Sequence, residues 1–372
     1  MVTGTTIRGR TSIGMDVDTL TKIKVVGVGG GGNNALNRMI EEGIWGVDFI
    51  AVNTDAQDLV RSRAPDRIRI GDRFSGGLGV GGDHELGMKA AEESRDLFAN
   101  AIGDANVLFV TAGMGGGTGT GAAPVIADVA KKLGALTIAV VTRPFAFEGT
   151  HRSQVADEGI MWLEQRTDSL IVVPNERLLG MCDRNVTIDS AFKIVDDVLL
   201  RSVQGISGVI VTSGEINLDF MDVKATMTDA GHTWISMGHG SGDNRVVDAA
   251  RSATVNPLFD YSIEKAERIL FNITGNELGL AEVNEAANLI KQVADPHAKI
   301  FFGWAKDPNM GNDVKIALIA TGFEMRKKSE YTEGSAEADS DFDEIDDYSS
   351  EGEEQFESPS DGKWRSFLPR FK

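Results

Sequence analysis

Gly113-Met114-Gly115-Gly116-Gly117-Thr118-Gly119-Thr120-Gly121 is the stretch that decides how this chain reads. It follows an apolar, β-branched run at 107–110 and leads into a helix-like run at 122–133, so it joins a strand to the N-terminus of a helix. A second glycine stretch with the same kind of neighbours lies upstream, Gly27-Val28-Gly29-Gly30-Gly31-Gly32-Asn33-Asn34. Backbone N–H groups with no side chain in the way, aimed from a helix N-terminus, are how proteins hold phosphates. Glycine beyond what a turn needs costs chain entropy on folding, so each loop points to a ligand. Two such loops on one sheet point to a polyphosphate held from both sides.

The first loop alone satisfies G-x-G-x-x-G, with Asp48 and Asp55 near the ribose position of a dinucleotide site. A nicotinamide site uses one glycine-rich turn, so the second loop weighs against a dehydrogenase. Neither loop is a P-loop, because no Lys-Ser/Thr follows the glycines. Without that lysine, peptide dipoles, Thr118, Thr120 and a bound cation are left to balance the phosphates.

Outward from the loops, apolar runs at 23–28, 49–53, 67–70, 107–111, 136–142 and 170–174 alternate with helical stretches at 34–42, 84–102, 122–132, 153–166 and 188–204. That alternation is the pattern of a doubly wound, Rossmann-type α/β domain, in which ligands sit beyond the carboxyl ends of the strands. Both glycine loops fall there. The long helix at 188–204 has Ile188, Phe192, Val195, Val198 and Leu199 as its apolar set, and 208–212 reads equally as its continuation or as a short strand. Asn217-Leu218-Asp219-Phe220-Met221-Asp222 reads as a loop opening a helix. On its own chemistry Asp219 is an N-cap there. A second α+β region follows, with strands at 233–237, 269–273, 299–304 and 314–320 and helices at 244–253 and 280–293. The expected organisation is a disordered extension (1–20), a nucleotide-binding α/β domain with the long central helix (21–204), a C-terminal α+β domain (205–325), a disordered acidic linker (326–361) and a terminal peptide (362–372).

The chain has 372 residues, 41% hydrophobic and 25% charged, enough for two domains. Its single cysteine, Cys182, permits no internal disulfide and fits a reducing cytosol. The five histidines show no metal-ligand spacing, and no run is apolar enough to span a bilayer. The net charge of −19 is unevenly spread: residues 329–361 hold fourteen Asp/Glu and no Lys/Arg, and −9 remains for residues 1–328. A block of like charge with few apolar residues repels itself and reads as an extended tether. Without a basic stripe, nucleic-acid binding is disfavoured. The tip interleaves Trp364, Phe367, Leu368 and Phe371 with Lys363, Arg365, Arg370 and Lys372, which reads as a docking peptide for a protein partner.

Several further motifs fall in a characteristic order: Asn53-Thr54-Asp55-Ala56-Gln57, the Gly-Gly-Gly-Thr-Gly-Thr-Gly run at 115–121, Arg143-Pro144-Phe145 with Phe147-Glu148-Gly149, and Asn217-x-Asp219-Phe220-x-Asp222. In these the chain resembles the FtsZ family of tubulin-like GTPases, over about residues 22–323. The resemblance implies GTP and GDP as ligands, with Mg²⁺ at the terminal phosphates. Gly30, Gly31, Gly32, Asn33 and Asn34 are then implied on one side of the phosphates, and Gly117, Thr118 and Gly119 on the other. Glu148 and Arg152 are implied near ribose and phosphate, and Asn175 and Asp196 at the guanine. A carboxylate at Asp196 also has independent sense, since it accepts two donors from guanine and meets an acceptor on adenine. Asn217, Asp219 and Asp222 are implied to be catalytic, completing the pocket of the next subunit in a head-to-tail filament. The resemblance further implies a cytoplasmic protein of the midcell division ring, tethered to the membrane by an adaptor on the terminal peptide and not inserted itself. The alternative within the resemblance is a filament scaffold with weak hydrolysis. Gly82-Asp83-His84 departs from the family pattern of a small residue, Asn and Pro, and Ser213 stands where Pro is common.

Overall fold

The computed structural model describes residues 21–182, 186–211, 216, 218–256, 258 and 263–323. The expected extension at 1–20, the linker at 326–361, the terminal peptide at 362–372 and the candidate Asn217 lie outside the described residues.

Six parallel strands open the chain: β1 (Ile23–Val28), β2 (Val47–Asn53), β3 (Asp66–Arg69), β4 (Val107–Gly113), β5 (Leu136–Arg143) and β6 (Ser169–Pro174). Their spatial order is β3-β2-β1-β4-β5-β6. The sequence of β4, VLFVTAG, is apolar on both faces because helices cover both. On one face Val25, Phe109 and Ile138 pack with Leu36 and Met39 of α1 (Gly29–Glu41) and with Val195, Leu199 and Val203 of α9 (Ile188–Val211). On the other, Val26, Val110 and Ala139 meet α4 (His84–Glu92), α5 (Arg95–Ile102), α6 (Gly117–Lys132) and α7 (Thr150–Glu164). The short helices α2 (Ala56–Arg61), α3 (Asp72–Ser75) and α8 (Asn175–Met181) complete this half.

The sheet continues into the second half. After α10 (Phe220–Met227) come β7 (Gly231–Ser241), α11 (Arg245–Thr254), β8 (Ala266–Gly275), α12 (Leu280–Val293), β9 (Ala294–Lys306) and β10 (Asp313–Thr321). The full order is β3-β2-β1-β4-β5-β6-β7-β10-β8-β9. β7 joins β6 in parallel at only two register positions, Ser169↔Gly231 and Leu170↔His232. It pairs antiparallel with β10 from Thr233↔Thr321 to Ser241↔Asp313.

The structure moves several boundaries. α1 and α6 begin inside the glycine runs rather than after them. A Cβ at Gly32 would stand 2.3 Å from Thr111 O, so only glycine lets the first turn of α1 lie on β4. The single helix read at 84–102 is two, α4 and α5, with a break where Ser94 Oγ donates back to Ala90 O at 3.0 Å. Such back-bonding bends helices. The helix read as 188–204 runs to Val211, so 208–211 continues it. Ile188 and Phe192, read as part of its inward stripe, are exposed, because the first turns of α9 project past the sheet.

Candidate functional site

The strand order reverses between β1 and β4, the place where doubly wound sheets bind ligands. Both glycine loops leave these two strands at their carboxyl ends, and their backbones touch. Gly29 has φ +69°, and a Cβ on it would lie 2.9 Å from Gly119 N; one on Gly31 would lie 3.3 Å from Gly113 Cα. Gly30, Gly31 and Asn34 are exposed, while Gly32 and Asn33 are buried. Two helix N-termini, of α1 and α6, therefore open side by side onto one hollow, and their dipoles add in favour of an anion. Thr118 of the second loop is held by Thr54, Oγ1 to Oγ1 at 2.7 Å, and Thr120 Oγ1 accepts from Gly115 N at 2.8 Å.

Beyond the carboxyl end of β5, Glu148 Oε1 accepts from Phe145 N at 2.9 Å, and its Oε2 pairs with Arg152 Nη1 at 2.8 Å. The Arg152 guanidinium also lies beside the second loop, 4.0 Å from where a Gly116 Cβ would stand. It is the cation nearest to that loop among the contacts of its glycines. Phe145, Phe147 and Phe192 form an aromatic wall, with Phe145 stacked on Phe147 (centroids 5.0 Å) and edge-on to Phe192 (5.4 Å). The sequence reading missed this wall. Its signal was the Phe-x-Phe pair together with Phe192 one helical turn before Asp196.

Asn175 opens α8 at the end of β6 and is buried, and nothing among the described residues donates to its Oδ1. Asn33 Oδ1 is likewise buried without a donor, its Nδ2 reaching Val52 O at 3.4 Å. Buried amide oxygens are seldom left unpaired, so both carry an unmet demand for a donor at this site. Asp196 and Asp197 stand on α9 beside α1. Asp197 is buried and takes Arg38 Nε at 2.7 Å. Asp196 is half-buried; burial first, and the Asp197 charge second, push its carboxyl up to about 7, against a smaller pull from Arg38.

Asp219 and Asp222 are elsewhere. They form a reciprocal capping box on α10, Asp222 N donating to Asp219 Oδ1 at 2.9 Å and Asp219 N to Asp222 Oδ2 at 3.1 Å. α9 starts beyond the carboxyl end of β6 and spans 24 residues, about 36 Å at 1.5 Å per residue. Its last residue, Val211, touches Gly46, just before the amino end of β2. α10 leads into β7, whose start pairs with the start of β6. The two aspartates therefore lie at the amino ends of the strands, opposite the glycine loops. Ile216 fixes the approach to them by exchanging both backbone bonds with Trp304 of β9, at 3.2 and 2.9 Å. The structure thus brings Gly30–Asn34, Gly117–Gly119, Glu148, Arg152, Asn175 and Asp196 to one end of the molecule and Asp219 and Asp222 to the other.

Known proteins share this fold. Residues 22–183 match the tubulin/FtsZ family GTPase domain and residues 231–324 the FtsZ family C-terminal domain. An FtsZ dimer from M. jannaschii is 43% identical, with a TM-score of 0.76, over 82% of this chain and 89% of that one. CetZ2 from Haloferax volcanii, in a GTPγS-bound protofilament, is 22% identical with a TM-score of 0.70, over 84% of this chain and 96% of that one, and shares the fold. The chain belongs to the FtsZ family of tubulin-like GTPases.

Proposed function

We propose that this GTPase assembles head to tail, Asp219 and Asp222 of one copy closing over the glycine loops of the next, and that the filaments form the division ring at midcell. One observation carries the reading: the two halves of the site lie at opposite ends of α9, so a single molecule cannot bring them together. A contact that uses two different faces and does not close produces a filament.

In this reading the N–H groups of Gly30–Asn34 and Gly117–Gly119 cradle the phosphates, Arg152 adds the missing cation, and Glu148 holds Arg152 and the ribose side. The aromatic wall packs on the base. Asp196 and Asn175 accept from guanine, meeting the demand of the unpaired Asn175 Oδ1. Phosphoryl transfer is mostly positioning and charge stabilisation, so the carboxylates of Asp219 and Asp222 suffice to orient the attacking water once they arrive from a neighbour. Among the described residues no cluster of three or more His, Cys, Asp or Glu is placed to hold a metal. Mg²⁺ is usually bound by substrate phosphates, water and one or two carboxylates; here it would neutralise phosphate charge, and Asp219 and Asp222 of the neighbour would help to place it. Among the described residues no helix is long and apolar enough to cross a membrane; the membrane tether in this reading is an adaptor on residues 362–372.

GTP hydrolysis measured against protein concentration tests the shared site. A threshold followed by a linear rise is expected. A line through the origin would mean that each molecule hydrolyses alone, and the roles given to Asp219 and Asp222 would fall.

A further inference from the structure

The N-terminus of α6 lies between two helices. On one side α4 presses onto its glycines: a Cβ on Gly121 would stand 2.1 Å from His84 O, and one on Gly87 2.3 Å from Gly117 O. On the other side α7 does the same, with Arg152 O 2.6 Å from a Cβ on Gly115, and Thr120 Cγ2 2.3 Å from one on Gly159. Side chains join α4 to α7 across α6. His84 Nε2 lies 3.1 Å from Glu158 Oε2, and the imidazole packs on Trp162 with centroids 5.5 Å apart at a tilt of 34°. Glu158 and Trp162 are one turn apart on α7, so they present one face to the ring.

His84 also ends the loop at 76–83, in which Gly76, Gly77, Gly79, Gly81 and Gly82 all have positive φ. Glycine with φ > 0 imposes little shape of its own, so the loop is shaped by its anchors. Upstream these are Ala56 N to Gly77 O at 3.0 Å and Gly79 N to Thr54 O at 3.3 Å. In the middle, Val80 fills the space a side chain on Gly117 would need, its Cγ2 2.6 Å from that Cβ. Downstream, Asp83 caps α4 by accepting from Leu86 N at 3.0 Å, and His84 reaches α7.

The loop sits on the β2/β3 side of the glycine loops, as its Leu78–Asp55 bridge shows. The aromatic wall and Asn175 sit on the β5/β6 side. A nucleotide with its base at β5/β6 and its phosphates at β1/β4 therefore points its last phosphate towards this loop. We propose that His84, held by Glu158 and Trp162, is a positioning residue that clasps loop 79–83 against the second glycine loop and so lets the site distinguish a nucleoside triphosphate from a diphosphate. The inference rests on reading the glycine loops as the phosphate cradle.

The test is calorimetric titration of the full chain, below its assembly concentration, with GDP and with GTPγS, for the unaltered chain, His84→Ala, Glu158→Ala and Glu158→Gln. Both alanine variants should weaken GTPγS about two- to fivefold, the worth of one partly exposed polar contact, with GDP unchanged. Glu158→Gln keeps an acceptor for the imidazole N–H and should keep the ratio. Equal weakening of both nucleotides, or of neither, overturns the positioning role. Should His84→Ala fail to fold, Glu158→Ala carries the test, since its carboxylate is half exposed. Failure of the unaltered chain to bind either nucleotide would overturn the phosphate-cradle reading itself, and the clasp with it.

Discussion

Asp196 and Asp197 are adjacent in sequence and differ in circumstance. Asp197 is buried with a guanidinium in contact and ties α9 to α1. Asp196 has burial and a neighbouring negative charge, which raise its pKa to about 7. A protonated Asp196 offers guanine a donor where an acceptor is needed. GDP affinity should therefore fall about tenfold between pH 8 and pH 6, the loss of carboxylate over that range. Asp196→Asn should flatten this profile and turn preference from GTP to XTP, whose 2-oxo group accepts from the amide; nucleotide titration across pH checks both. The same shift has a sign for stability. The folded chain keeps this proton where the unfolded chain has lost it, so the group favours folding below the ordinary carboxylate range and that contribution is lost as pH rises to about 7. Asp196 was legible only through the family resemblance, to which a carboxylate's fit to guanine's two donors adds chemical sense. The aromatic wall was not, because Phe192 at helical spacing is indistinguishable from core until its turn is seen to project past the sheet.

Elements were legible in proportion to their length and burial. The central parallel strands read almost to the residue, since strands covered on both faces are continuous apolar runs, and α12 (Leu280–Val293) was read at its full extent. α2, α3 and α8, of 6, 4 and 7 residues, carry too little of the 3.6-residue period to be seen. The starts of α1 and α6 were hidden because glycine, a helix breaker by propensity, is helical there to let backbones touch. At α10 the structure bears out the N-cap reading of the motif, and the proposed catalytic role falls on the same two residues. Asp219 is the N-cap its chemistry suggested, and the box it makes with Asp222 presets both carboxylates at an exposed tip. Asp222→Ala should lose this box, lowering stability by about 1 kcal/mol. GDP binding should be unchanged and hydrolysis lost; denaturant unfolding, titration and phosphate release separate the three.

At the scale of the molecule, α9 sets the distance between the two half-sites, and in the proposed head-to-tail reading hydrolysis is a property of neighbours. Asp222→Ala keeps an intact pocket, and Asp196→Asn keeps an intact pair of aspartates. Each alone should be inactive towards GTP. In an equal mixture about a quarter of head-to-tail contacts join the intact pocket of one to the intact aspartates of the other, so activity near a quarter of normal should return, measured as phosphate release against mixing ratio. Both half-sites hang from one sheet, and its seam is narrow. β6 and β7 meet at two register positions, while the pairing of β7 with β10 runs from Thr233 to Ser241. A filament of such subunits is a chain of loaded joints. Tension drawn from the aspartate end of one copy to the phosphate end of the next passes through that seam. That pull runs along the strands, so the two register positions of β6 and β7 carry it together in shear, alongside the packing of α9 against both halves. At the seam between Ser169 and His232 strand pairing has least to give, and the core around α9 is what keeps the two halves in step.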